Sequence, residues 1–94
     1  MVLQDQELNL RNAVSVSEAG LRAIHAGDDI IDMTALESVD SSAVAVMLAW
    51  QRRAQATNRK LRFVGVSSSL FSLISLYGLT DFFHLSASIQ AERH

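Results

Sequence analysis

Residues 30–57 read IIDMTALESVDSSAVAVMLAWQRRAQAT, and this stretch decides the fold. It starts with Ile30-Ile31-Asp32-Met33, a short apolar run rich in β-branched residues. Such a run predicts a buried strand of a parallel sheet. Thr34 to Asp40 predict a loop with Leu36 and Val39 turned inward. Asp40, Ser41 and Ser42 then offer N-caps to a run without Gly or Pro, which predicts a helix to Thr57 with Asn58 as its C-cap residue.

The pattern repeats outward from this unit. Lys60 to Val66 alternate as a strand. Ser67, Ser68 and Ser69 can cap a helix whose apolar positions are Leu70, Phe71, Leu73, Ile74 and Tyr77. Gly78 sits where a C′ residue is needed, and Leu79 can fold back as its hydrophobic contact. Phe82, Phe83 and Leu85 predict a short buried closing segment, and Ser86 to His94 a terminal helix. Upstream, Val2 to Leu10 predict a short strand, and Asn12 to Ala26 a helix stopped by Gly27. This alternation implies one α/β domain over residues 1–94, with a mainly parallel sheet and right-handed crossovers.

Composition limits the function. The chain has 94 residues, enough for a single domain, and 49% of them are apolar. It has no cysteine, which excludes disulfides, thiolate metal sites and cysteine nucleophiles. Its longest strongly apolar run, Ala43 to Trp50, is far short of the ~20 residues of a membrane span. The start, MVLQDQELNL, lacks the basic and apolar regions of a signal peptide. These features predict a soluble, cytoplasmic protein.

The net charge of −2 hides a segregation. Residues 1–40 carry eight acids against two bases, whereas residues 41–80 carry five bases and no acid. No aromatic residues interleave with those bases, so nucleic acid is not the expected partner. Catalytic and metal signatures are also missing. His25, His84 and His94 lack ligand spacing, and there is no GxSxG elbow, P-loop or GxGxxG. Asp28, Asp29 and Asp32 read as solvated carboxylates at a strand edge. The expectation is a non-enzymatic chain without cofactor or metal.

Helical spacing divides the central helix into two faces. Ala43, Val46, Met47, Trp50, Ala54 and Thr57 group on the face assigned to the sheet, with Val44 at its margin. The opposite face carries Ser41, Ala45, Leu48, Arg52 and Gln55. Ala45 and Leu48 make that second face apolar as well. This predicts a partner-binding surface with a serine at one edge and an arginine at the other.

The string Ile31 to Ala43, IDMTALESVDSSA, resembles the signature of STAS domains. There a buried strand leads through a loop to Asp-Ser/Thr-Ser/Gly at a helix start. Leu61 to Val66, the serine cap and Leu76-Tyr77-Gly78-Leu79 resemble the rest of that pattern. Glu7-Leu8-Asn9 resembles its Gly-Glu-Leu-Asp corner, with Gln6 in place of Gly. The resemblance spans roughly residues 6–85. It implies a STAS-like mainly parallel sheet with helices, its first strand shortened or missing. A missing strand would leave a sheet edge open for pairing with a second copy.

Two branches of the family fit. In MlaB-like subunits the domain sits in the cytoplasm on the ATPase of a phospholipid ABC transporter that maintains outer-membrane lipid asymmetry. The chain would then be peripheral to the inner membrane, touching it only through the transporter. Anti-sigma factor antagonists instead bind a kinase-like anti-sigma factor and are switched off by serine phosphorylation. Ala43-Val44-Ala45, in place of Gly-Leu-Gly, and Ser75-Leu76-Tyr77-Gly78-Leu79 favour the first branch. Either way the resemblance makes Ser41 the contact-making or phosphorylatable position, and with the outer face of the helix the expected partner contact comprises Ser41, Ser42, Ala45, Leu48 and Arg52. A serine there is also explained by helix capping alone.

Overall fold

The computed structural model describes residues 1–87. Its strands are β1 (Glu7–Leu8), β2 (Ile30–Asp32), β3 (Ser38–Val39), β4 (Arg62–Val66) and β5 (His84–Ala87). Its helices are α1 (Ala13–His25), α2 (Ser41–Ala56) and α3 (Ser68–Leu76). Every strand pair is parallel. The main sheet has the order β2-β4-β5, and β1 pairs with β3 in a two-stranded sheet of its own. The stretch Thr34 to Asp40, expected as a loop, contains β3, which forms because Glu7 and Leu8 pair with Ser38 and Val39.

The strand expected over Val2 to Leu10 is split: Glu7 and Leu8 form β1, and ahead of them Val2 makes one parallel bridge to Asp32, a vestige of the family's first strand. The Leu3 amide donates to the Asp32 carbonyl at 2.9 Å, and the Asp32 amide donates to the Met1 carbonyl at 2.8 Å. The chain's own first residues thus cover the edge beside β2, which leaves the far side of β5 as the place where the expected open edge could lie. Among the described residues β5 has β4 as its only strand partner.

The helices cover one face of the sheet. Ile31, Met33, Leu61 and Phe63 are buried, while Ile30, Arg62 and His84 lie side by side in register and are exposed. The expectation of a fully buried β2 therefore holds for alternate residues only. Phe83 is buried in the core, but Phe82 and Tyr77, also expected there, are exposed. Leu36 points inward as predicted. Ser86 and Ala87 belong to β5, not to a helix, and residues 88–94 lie outside those described.

Trp50 holds the layers together. It is fully buried, stacks on Phe63 with ring centroids 6.4 Å apart, and donates its indole N–H to the Ser17 carbonyl at 3.0 Å. Phe63 in turn meets Phe83 edge-on at 5.4 Å. The predicted inner face of α2 is buried from Ala43 to Ala54. Thr57 is the exception: it is exposed, and its hydroxyl donates to the Ala54 carbonyl at 3.0 Å to close the helix. Asn58 follows at φ 58° as the C′ residue.

Gly20 lets α1 lie against that indole. A Cβ at this position would fall 2.2 Å from the Trp50 ring. Overpacking of this kind costs about 1–3 kcal/mol or more, which outweighs the roughly 1 kcal/mol of helix propensity that alanine gains over glycine. Gly20→Ala should therefore lower the melting temperature, by about 4–8 °C for each net kcal/mol lost. Thermal unfolding followed by far-UV circular dichroism checks this.

Candidate functional site

The start of α2 is built around Asp40. Its backbone is extended, and its carboxylate accepts hydrogen bonds from the Ser42 amide at 2.9 Å and from the Ser42 hydroxyl. Asp40 is therefore the N-cap, and Ser41 is the first helical residue. The capping explanation for Ser41 is corrected by this geometry. Ser42 is committed to the cap and half-buried, whereas Ser41 is exposed.

One helical turn further, Ala45 is exposed and Leu48 is partly buried against the core. Ser41, Val44, Ala45 and Leu48 form one wall of an open groove of about 420 Å³. Tyr77 and Leu79, from the end of α3, form the other. Leu79 reaches this position through a sharp helix end. Gly78 takes φ 70°, which favours glycine, and the Leu79 amide donates to the Ile74 carbonyl at 3.0 Å. Arg52 is exposed beyond the groove and does not line it.

A second groove of about 360 Å³ runs along the other side of α2. Leu10, Val14 and Ser17 line it from the α1 side, and Ser42, Ala45, Val46 and Ala49 from α2. Leu10 is 82% exposed and Val14 71%. Ala45 is common to both grooves. The structure thus brings Ser41, Ala45 and Leu48 together, places Ser42 on the second groove, and leaves Arg52 outside both. The sequence marks Leu79 only as the contact that closes α3, and it gives neither Leu10 nor Val14 a place in the site. Only their apolarity hinted at them, since each lies at an element boundary where no periodicity marks a face.

Among the described residues no group of three or more His, Asp or Glu side chains could hold a metal ion. No described helix is long and apolar enough to cross a membrane. Two carboxyls near the strand ends are tuned by hydrogen bonds. The Asp40 carboxyl is held below its ordinary range chiefly by the Ser42 hydroxyl, then by the Ser42 amide. Asp32 is lowered in the same way by the hydroxyl and amide of Thr34.

A carboxyl lowered in the folded state contributes stability above its unfolded pKa and loses it as pH falls through the folded value. Stability should therefore decline as pH drops below about 4, the ordinary range of an aspartate. Asp40→Asn keeps an oxygen acceptor for the cap but cannot titrate. Urea unfolding between neutral and acid pH should show a shallower decline for this variant.

A family model described as "Mlab, STAS domain" matches residues 5–87. No curated protein sequence matches significantly. Among solved structures, the chain is similar to a Thermotoga maritima protein assigned as an anti-sigma factor antagonist. The TM-score is 0.77 and the identity 18%, over 98% of this chain and 82% of that one. At that identity the likeness speaks for the fold, a mixed α/β arrangement of parallel strands and three helices. Taken with the family match over nearly the whole described chain, it leads to one assignment: the protein belongs to the MlaB-type STAS domain family.

Proposed function

We propose that this chain is a non-catalytic subunit that docks the outer face of α2 on the ATPase of a phospholipid-transport ABC system. In that role it stabilises or regulates the ATPase of a system maintaining outer-membrane lipid asymmetry. It would work in the cytoplasm, peripheral to the inner membrane when in complex. The observation that carries this reading is the exposed, apolar outer side of α2, flanked by two grooves that share Ala45. A helix packed on a sheet needs one apolar stripe; this one has apolar surface left over. Ser41, Ala45 and Leu48 form the contact, Ser42 braces it through Asp40, and Arg52 supplies a charge at its rim. The family match supports the choice of partner.

A second reading is favoured by the solved neighbour. On that reading the family resemblance implies a chain that binds a kinase-like anti-sigma factor and is switched off by phosphorylation of Ser41. The exposed Ser41 hydroxyl suits this reading too. A phosphate there would add about −1.5 to −2 charges beside the apolar groove, which opposes docking of an apolar surface.

The two readings separate in a binding experiment. The full chain is titrated calorimetrically with the transporter ATPase and, separately, with a kinase-type anti-sigma factor from the same cells. Binding to the ATPase supports the first reading; binding and phosphorylation by the kinase support the second. Ala45→Arg should weaken the productive complex by tenfold or more, on the order of 1.4 kcal/mol. Ser41→Asp should also weaken it. An acid in the first turn suits the helix dipole, so the melting temperature of Ser41→Asp should hold or rise. Unchanged affinity in both variants would exclude this face as the contact.

A further inference from the structure

A third groove, of about 460 Å³, opens at the far end of the α1–α2 seam and is lined by Leu21, Arg22, His25 and Arg53. Its position follows from helix geometry. Val14 lies across a groove from Ala45, Trp50 meets Ser17 and Gly20, and Arg53 shares this groove with Leu21. The two helices therefore run side by side in the same direction, and their last turns arrive together. Arg22 and His25 stand three residues apart on the last turn of α1, and Arg53 stands on the last turn of α2. All three are exposed around a partly buried Leu21.

Cations at helix C-termini have a local explanation, since they complement the helix dipole. At α1 another residue already does this. The Arg59 guanidinium donates to the Ile24 carbonyl at 2.7 Å and to the Asp28 carbonyl. Among the described residues the side chains of the groove's own bases have no such partner. The ion pairs among the described residues are Met1 with Asp28 and Arg11 with Glu7, and none involves Arg22, His25 or Arg53. Glu18, one turn before Arg22, lines the second groove and not this one.

We propose that this groove binds the phosphate group of an anionic ligand. Two guanidiniums and an imidazole N–H converge on it from two helices, above an apolar floor. A carboxylate holds its two oxygens in one plane, which a single guanidinium fork satisfies, whereas the tetrahedral oxygens of a phosphate accept from donors arriving from different directions. A free phosphate and a phospholipid headgroup share this chemistry. The groove lies at the opposite end of α2 from Ser41, so the proposal does not depend on the docking face.

The test uses the folded chain at constant ionic strength. Backbone amide NMR spectra follow its titration with inorganic phosphate, with chloride as the reference. Co-flotation follows its binding to phosphatidylglycerol vesicles, with phosphatidylcholine vesicles as the reference. The expected result is saturable, phosphate-specific shifts around Leu21 to His25 and Arg53, or flotation with the anionic vesicles alone. The double variant Arg22→Gln, Arg53→Gln should weaken either by about tenfold or more. Saturation by inorganic phosphate identifies a soluble phosphate as sufficient, and vesicle binding alone identifies the headgroup. No response to either probe, or a response that survives in the double variant with its melting temperature intact, overturns the proposal. If the double variant fails to fold, the exposed His25→Gln provides the same comparison.

Discussion

The contact between Trp50 and Gly20 sets the layout of the whole domain. An indole that is fully buried must find both packing and a partner for its N–H. Phe63 supplies the packing from the sheet, and the Ser17 carbonyl supplies the acceptor from α1. Neither works unless α1 comes within contact distance of the ring, and only a residue without a side chain permits that at position 20. One aromatic side chain thereby fixes α1, α2 and β4 relative to each other. The rotation of α2 about its own axis follows, and with it the outward direction of Ser41, Ala45 and Leu48.

The same constraint separates support from contact at the start of α2. Asp40 and Ser42 hold the helix end through their mutual hydrogen bonds, and Ser41 is left between them with no share in that work. Charge or bulk can be added at Ser41 without removing a bond that the fold uses. Adjacent serines in the sequence thus have different physical roles, decided by which one faces the Asp40 carboxylate.

Much of this was legible in the chain. The uninterrupted run after Asp40 marked α2, its apolar spacing marked the face that meets the sheet, and Gly78 with Leu79 marked the end of α3. Residues that depend on distant partners were harder to read. β3 exists only because β1 lies beside it, and two-residue strands carry no period of their own. Gln51 belongs to neither face that the helical spacing defines, yet it is buried and its side-chain amide donates to the Phe82 carbonyl at 3.1 Å. Phe82 and Tyr77 looked like core from their chemistry, but their exposure depends on how the segment after α3 crosses the helix. The candidate site was visible as one face of α2; its second walls, from α1 and from Leu79, came only with tertiary structure.

The strand order has a consequence for how the molecule is made. Across the main sheet, from one edge to the other, come Val2, β2, β4 and β5. That is also the order in which a ribosome releases them. No strand has to insert between two that already pair, and each crossover helix lays its strand on the edge last completed. Parallel pairings join distant residues and are slow to form. A domain of this size folds as one cooperative unit, and the order spares that step the threading of a strand between two that are already paired.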